Sequence, residues 1–438
     1  MLKRLLTVLL SAVMCFGFVA CRDKNSSSSN DSGNSSSSVS GGEEVISNAI
    51  FPTKTSMKTD GQLYTGNAVE FPASLWETPN SERYDELDRD GLGVYGYFID
   101  SVQDTQVFAF VGIPEGATKE NPVPGIVLVH GGGGTAFFQW VSYWVKRGYA
   151  AIAMDTDGNM PVENSLMSNN NHQVSIKNHG PSNTRFADWK SKPIEQQWAY
   201  HATAAVIASN SFLRSFEGVD PNRIGVTGIS FGAFLTCHAI AYDDRFSFAM
   251  PVYASLDQRS GETPWAELMA GDIGEVWDNN DILQGNTTPI LYVNSNTDQG
   301  FSVKATTESD KKSLYSQMLL KYNFQHSHEL GAFQVPELLT FADNICLGTE
   351  GLVQIIEQPT AEKQSVKVKL PKGVSVQEVT GYYTTSSELV KTTFWSPVDG
   401  DFEDGIAEVS IPGNAKYFYI NVTDSRNMEV SSHVIALN

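Results

Sequence analysis

At 438 residues the chain is too long for one small core, and two or three folded units are expected. Hydrophobic residues at 41% and aromatics at 11% exclude a chain that stays unfolded as a whole. A formal net charge of -20 with no basic run in the folded part argues against nucleic acid as a partner, because an acidic surface repels phosphate backbones.

Residues 1–20 read as a targeting signal: Lys3 and Arg4 give a positive start, and 5–19 is almost entirely apolar. The stretch is too short and wrongly flanked for a membrane span. It ends in Phe18-Val19-Ala20-Cys21, which resembles the lipobox of bacterial lipoproteins. That resemblance implies cleavage before Cys21 and lipid on its thiol, hence an exported protein anchored in the cell envelope, periplasmic or surface-exposed. The Ser-, Asn- and Gly-rich linker 21–44 would stay unfolded and hold the folded part away from its anchor. Cys15 lies in the signal, so only Cys237 and Cys346 remain for the folded protein, which is no disulfide framework. His326 and His328 lack a third ligand nearby in sequence, and no metal or other cofactor is expected.

From 45 to about 113 the chain carries short strand-like runs, the clearest being 107–111, bounded by Pro114 and Gly116. From Pro124 onward, apolar strands alternate with helical stretches. The expected order is strand 125–129, helix 137–146, strand 149–154, helix 193–213, a turn at Asp220-Pro221-Asn222 and strand 224–229. A helix from Phe231, strands at 248–253 and 289–293, a helix at 309–318, a strand at 319–324 and a helix at 337–346 complete it. Continuous apolar strands between helices predict a mostly parallel, doubly wound α/β sheet covered on both faces. Beyond Gly351 the helical period disappears. Alternating segments at 366–370, 381–384, 407–411 and 417–422, separated by Gly, Pro and Asp, predict a small all-β sandwich over 351–438. The catalytic unit would then be 45–350.

The chemistry centres on Gly228-Ile229-Ser230-Phe231-Gly232. GxSxG is a weak signal alone, but here an apolar strand meets a helix at the serine, which is the setting a nucleophile elbow requires. Glycines at its flanks let the strained turn pack against its neighbours. His130-Gly131-Gly132-Gly133-Gly134 follows an earlier strand in the same way. Backbone N–H groups of Gly131 and Gly132, with that of Phe231, could stabilise the negative charge on a substrate carbonyl oxygen. The Lys and Ser/Thr of a phosphate-binding loop are missing, and His130 reads as structural. An acid and a base should follow in that order. Asp298 stands just beyond strand 289–293, and His326 and His328 beyond strand 319–324, all at strand carboxyl ends. Spacing does not separate the two histidines; a loop whose first residues turn back toward the serine favours His328. His201 and His238, within helices, read as core residues, and Trp140, Trp144 and Trp198 as packing. Trp265 and Trp277, in a long insertion, could line an acyl or sugar pocket or fill the core.

The stretches VLVHGGGGTAFFQWV, RGYAAIAMD, VDPNRIGVTGISFGAFLT, RFSFAMPVY and QHSHELG followed by PELLTFADNI occur in the order found in bacterial α/β-hydrolases. Over about 59–348 the chain resembles acetylxylan esterases, cephalosporin-C deacetylases and dienelactone hydrolases, and NVTDSRNMEVSS resembles the β domain often fused to them. The resemblance implies hydrolysis of esters, often acetyl esters on carbohydrates, by Ser230, Asp298 and a histidine. Phe231 stands where many relatives carry Trp, and the glycine and cysteine expected after Tyr253 are missing, which bears on substrate preference more than on the triad.

The expected protein is thus a serine carboxylesterase working through an acyl-enzyme on small-molecule or polysaccharide esters. Two alternatives remain at this point. One is a serine peptidase of the prolyl-oligopeptidase type, which would bring propeller repeats that the sequence lacks. The other is a carbohydrate-binding surface lipoprotein on an inactive hydrolase fold, which sits poorly with an intact set of catalytic candidates.

Overall fold

A computed structural model describes residues 51, 63–64, 69–162, 173–184, 186–298 and 300–437. The expected signal, Cys21 and the linker lie outside the described residues. The chain lays down β1 (Ser81–Arg83), then the antiparallel pair β2 (Val94–Asp100) and β3 (Gln106–Gly112). β4 (Val123–Val129), α1 (Phe138–Val145) and β5 (Ala150–Met154) follow, and then a small ribbon of β6 (Asn159–Pro161) and β7 (Gln173–Ser175). Next come α2 (Trp198–Arg214), β8 (Val219–Ile229), α3 (Phe231–Tyr242) and β9 (Phe248–Val252). Two short helices, α4 (Pro264–Leu268) and α5 (Asp272–Trp277), precede β10 (Ile290–Ser295), α6 (Val303–Lys312), β11 (Ser316–Lys321) and α7 (Pro336–Leu347). Across the sheet the order is β1-β2-β3-β5-β4-β8-β9-β10-β11, antiparallel up to β5 and parallel from there to β11.

Continuous apolar strands arise because each face of the sheet has its own core. Along β4, Val127 and Val129 pack with α2 and α3, while Ile126 and Leu128 pack with Trp140, Val141 and Trp144 of α1 and with Leu338 and Phe341 of α7. β5 divides likewise, Ala150, Ile152 and Met154 to one side and Ala151 and Ala153 to the other. A two-residue period therefore sorts side chains that are all apolar.

One boundary expectation needs correction, and it bears on the site. The helix expected at 309–318 is α6, Val303–Lys312, and the strand expected at 319–324 is β11, Ser316–Lys321. Ser302 caps α6 by accepting the Lys304 N–H at 3.1 Å, a start signal masked by the polar face of this helix. The strand ends earlier than expected, so Tyr322–Gln325 intervene before the histidines, with Asn323 in the left-handed region at φ 53°.

The C-terminal part is all β: β12 (Gln354–Glu357), β13 (Ser365–Lys369), β14 (Val376–Thr384), β15 (Ser396–Glu403), β16 (Ile406–Val409), β17 (Tyr417–Asp424), β18 (Glu429–Ser431) and β19 (Ile435–Ala436). It does not stand apart. β18 lies antiparallel against β11 with Met318 opposite Ser431, and Ser431 Oγ accepts the Leu320 N–H at 2.7 Å. From β18 the pairing continues through β17 and β14 to β15, then β16, β13 and β12. Val366, Ile420 and Val422 share one core with Leu291, Leu319 and Phe341. Gly351 therefore marks a change of pattern along the chain and not the edge of a core, and 47–438 is one compact unit.

Candidate active site

Ser230 stands between β8 and α3 with φ 55° and ψ -125°, a backbone conformation costly for a residue with a Cβ. Its N–H donates to Val252 O at 2.9 Å, and its carbonyl accepts the N–H groups of Ala233 and Phe234 at 2.9 and 3.2 Å. The flanking glycines are dictated by space. A Cβ on Gly228 would lie 2.3 Å from Gly232 O, and one on Gly232 would lie 2.2 Å from Val129 O and 2.5 Å from His130 O. Both obstacles are backbone, which cannot step aside. Phe231 opens α3, so its N–H has no acceptor within the helix.

The glycine loop leaves β4 beside this elbow. His130 is buried and structural: its Nε2 accepts the Thr156 N–H at 2.9 Å, and its Nδ1–H donates to Gly131 O at 2.7 Å. The Gly134 N–H closes the turn on Gly131 O at 3.0 Å. Asp157 Oδ2 takes the Gly133 N–H at 3.1 Å, and burial raises the pKa of that carboxyl. Gly132 faces the Phe231 ring, where an added Cβ would come within 2.7 Å of Cδ2. Gly131 lies under His328, whose Cε1 would be 2.6 Å from an added Cβ.

Asp298 follows β10 and is buried. Its Oδ1 accepts the N–H groups of Gly300 and Phe301, each at 2.7 Å, and its Oδ2 meets His326 Nδ1 at 2.7 Å. The histidine paired with the carboxylate is therefore His326, and the preference for His328 is corrected. The early end of β11 is the reason: four further residues carry the chain back before His326 reaches the acid. Tyr253, at φ 76°, stacks on the His326 ring with centroids 4.4 Å apart and donates its hydroxyl to Gln325 O at 2.8 Å. His328 Nε2 lies 3.4 Å from His326 Nε2. Burial first, and then the neighbouring His326, push the His328 pKa down to about 4, so its ring is neutral near pH 7.

These loops surround a cavity of about 490 Å³ lined by Gly132, Gly133, Asp157, Asn159, Ser182, Asn183, Ser230, Phe231, Trp265 and His328. Trp265 is half-buried in that wall, whereas Trp277 is core, its Nε1–H donating to Gln197 Oε1 at 2.8 Å. His201 and His238 are held by carbonyls, Glu195 O at 3.1 Å and Trp277 O at 3.0 Å. Reading the sequence missed Asp157, Asn159 and Ser182, whose loops carry no motif. It also missed Tyr253 as a strained partner of His326; position at a strand end was its only signal. Among the described residues no group of three or more His, Cys, Asp or Glu is placed to hold a metal ion. Cys237 and Cys346 are free and buried.

Parallel strands ordered β5-β4-β8-β9-β10-β11, with a strained serine in the crevice where that order reverses, define the molecule as an α/β-hydrolase. Residues 78–259 match the family described as Acetyl xylan esterase (AXE1), a match that takes in the glycine loop and Ser230 and ends before Asp298. Over that stretch, which is less than half of its length, the chain is similar to the acetyl xylan esterase family. Similar solved structures include an acetyl xylan esterase from a Paenibacillus species, at 17% identity and a TM-score of 0.49, covering 62% of this chain and 90% of that one. Another is Acetyl Xylan Esterase 1 from a Thermoanaerobacterium species, at 15% identity and a TM-score of 0.48, covering 62% and 91%. A third is a ferulic acid-bound esterase from Butyrivibrio proteoclasticus, at 16% identity and a TM-score of 0.40, covering 57% and 96%.

Proposed function

We propose that the chain is a serine esterase that removes acetyl groups from carbohydrate esters, with Ser230 as nucleophile, His326 as base and Asp298 as the group that orients it. The observation that carries this reading is the 2.7 Å contact between Asp298 and His326 Nδ1 in the loops beside the strained serine. With Nδ1–H given to the carboxylate, His326 presents a lone pair at Nε2. His328 Nε2 stands 3.4 Å from that atom, and proton transfer requires the Ser230 hydroxyl to come within about 2.6–3.2 Å of it instead.

Ser230 Oγ attacks the ester carbonyl carbon while its proton passes to His326 Nε2. The carbonyl oxygen becomes an oxyanion facing the N–H groups of Phe231 and of Gly131 or Gly132; the Gly133 N–H is already taken by Asp157. Collapse breaks the ester C–O bond, and His326 returns the proton to the departing alkoxide, releasing the alcohol. Water, deprotonated by His326, then attacks the acyl-enzyme, and acetate leaves with Ser230 restored. A cavity near 490 Å³ whose lining includes Asp157, Asn159, Asn183 and Trp265 suits a short acyl group on a polyhydroxylated alcohol. Export and lipid attachment at Cys21, read from the sequence, would put this activity in the cell envelope, on substrates too large to enter the cell.

The test is hydrolysis of p-nitrophenyl acetate, butyrate and octanoate by wild type and Ser230→Ala, followed by acetate release from acetylated xylo-oligosaccharides. Turnover greatest on acetate and abolished in Ser230→Ala is expected. Equal turnover by the two proteins overturns the nucleophile, and ester hydrolysis without acetate release from the oligosaccharides overturns the substrate. For the anchor, Cys21→Ala should shift the protein from the membrane fraction to the soluble one.

A further inference from the structure

Both loops that carry the acid and the base are held from outside the hydrolase strands. Trp395, at the entry to β15, is buried at 1% exposure, and its Nε1–H donates to Asn296 O at 3.0 Å, two residues before Asp298. The Asn296 side chain then crosses to the base loop: its Oδ1 accepts the N–H of Asn323 at 2.8 Å. The same base loop returns a contact, Tyr322 Oη donating to Trp395 O at 3.4 Å. Around these bonds the rings interlock. Trp395 meets Tyr419 edge-on at 5.2 Å, Tyr419 stacks on Tyr382 at 5.1 Å, and Tyr382 stacks on Tyr322 at 4.9 Å. Trp395, Tyr382 and Tyr419 all belong to the C-terminal β strands and their connections, whereas Asn296 and Tyr322 belong to the hydrolase loops. One more bond ties the same connection to the cavity wall: the Leu389 N–H donates to Glu262 Oε2 at 2.5 Å, three residues before Trp265.

We infer that Trp395 is a positioning residue for the reaction at Ser230, its indole N–H fixing the acid loop and, through Asn296, the base loop. The inference rests on the assignment of Asp298 and His326 as acid and base. The physical reason is the arrangement of the loops themselves. Past the bond from the Asn296 N–H to Lys321 O at 3.3 Å, residues 297–298 and 322–326 run beyond the paired residues of β10 and β11. Besides the Tyr253 hydroxyl on Gln325 O, the restraints on the carboxylate–imidazole pair that spans them come from the C-terminal contacts. Catalysis by a preset pair is sensitive to displacements of about 1 Å, which can cost on the order of 100-fold in rate. On this view the C-terminal β unit is part of the catalytic apparatus and not an appended binding module.

The experiment is steady-state kinetics on p-nitrophenyl acetate with full-length Trp395→Phe, which keeps an aromatic ring and removes the N–H. Asn296→Ala, which cuts the second link, and Ser230→Ala are run beside it. Phe394→Ala serves as control, since the side chain of this neighbour is 73% exposed. Each protein is assayed well below its melting temperature. The expected result is a fall in kcat of roughly 10- to 100-fold in both latch variants, with KM within about twofold and Phe394→Ala unchanged. A purely structural role would lower the melting temperature and leave kcat of the folded protein at the wild-type value, and that result overturns the inference. Should Trp395→Phe not fold, Asn296→Ala decides alone by the same criterion. If Ser230→Ala retains wild-type activity, the triad reading falls and takes this inference with it. If Ser230→Ala is inert and both latch variants match wild type, only the inference falls.

Discussion

Two histidines lie on one loop, and they have unequal partners. His326 Nδ1 is 2.7 Å from a carboxylate that is itself fixed by two backbone N–H groups, whereas His328 Nε2 lies 3.4 Å from His326 Nε2 and its ring stands over Gly131. Replacing His326 by Ala removes the proton acceptor and leaves the Asp298 carboxylate without a cation-forming partner. A positioned general base is worth about 10²–10⁴-fold, so kcat on p-nitrophenyl acetate should fall about 10³-fold, or roughly 4 kcal/mol of barrier. His328→Ala takes away a neutral ring with no carboxylate partner. It should cost no more than about tenfold, and part of that in KM, because the ring lines the substrate cavity. The assay is steady-state kinetics near pH 8, with circular dichroism to confirm that both variants are folded. If His328→Ala loses three orders of magnitude while His326→Ala stays within tenfold, the hydrogen bond to Asp298 is not the catalytic one and the assignment is wrong.

Further outcomes follow from particular contacts. Gly232→Ala puts a methyl group 2.2 Å from a backbone carbonyl oxygen, and should destabilise the fold by about 3 kcal/mol or more in urea unfolding; a wild-type midpoint would refute the packing argument. Burial lowers the His238 pKa to about 4 from 6.5, so between those values the unfolded chain binds a proton that the native state refuses. Stability conferred by the neutral ring is therefore full above pH 6.5 and drains as pH falls toward 4. The stability difference between wild type and His238→Gln should narrow by about 1.4 kcal/mol per pH unit across that window, and a gap independent of pH would contradict it. Trp265→Ala trims a half-buried cavity wall that packs on Phe231 and Phe301, so it should raise KM for carbohydrate esters as well as lower the melting temperature; an unaltered KM would remove Trp265 from the binding surface.

The parts legible in the sequence are those written in local chemistry. GxSxG after an apolar strand locates Ser230 because a Cβ on Gly228 would strike the Gly232 carbonyl and one on Gly232 the Val129 carbonyl of β4, and that demand leaves its mark on residue identity. The glycine loop is legible for the same reason. What escapes is anything set by long-range placement. Neither spacing nor residue type separates His326 from His328, since the choice turns on where β11 ends and on Asn323 adopting a left-handed turn. Tyr253, Trp395 and Asp157 are ordinary residues locally and acquire meaning only from partners far away along the chain, as the 99-residue separation of Trp395 and Asn296 illustrates. The β pattern after Gly351 is plain from its alternation, but no feature of that pattern reveals that β18 will join the hydrolase sheet.

That junction carries a consequence for how the molecule assembles. β11 is the outermost parallel strand, and the strand that covers its free edge lies 111 residues further on, from Leu320 to Ser431. Until that segment is available, the hydrolase body presents an open row of backbone donors and acceptors, the kind of edge that recruits strands from other chains. Contacts so distant in sequence form late, because the loop entropy must be overcome before they return any stability. Folding should therefore proceed through a nearly complete body with one unsealed flank. Chains cut short before β18 would be lost to association before their chemistry could be tested.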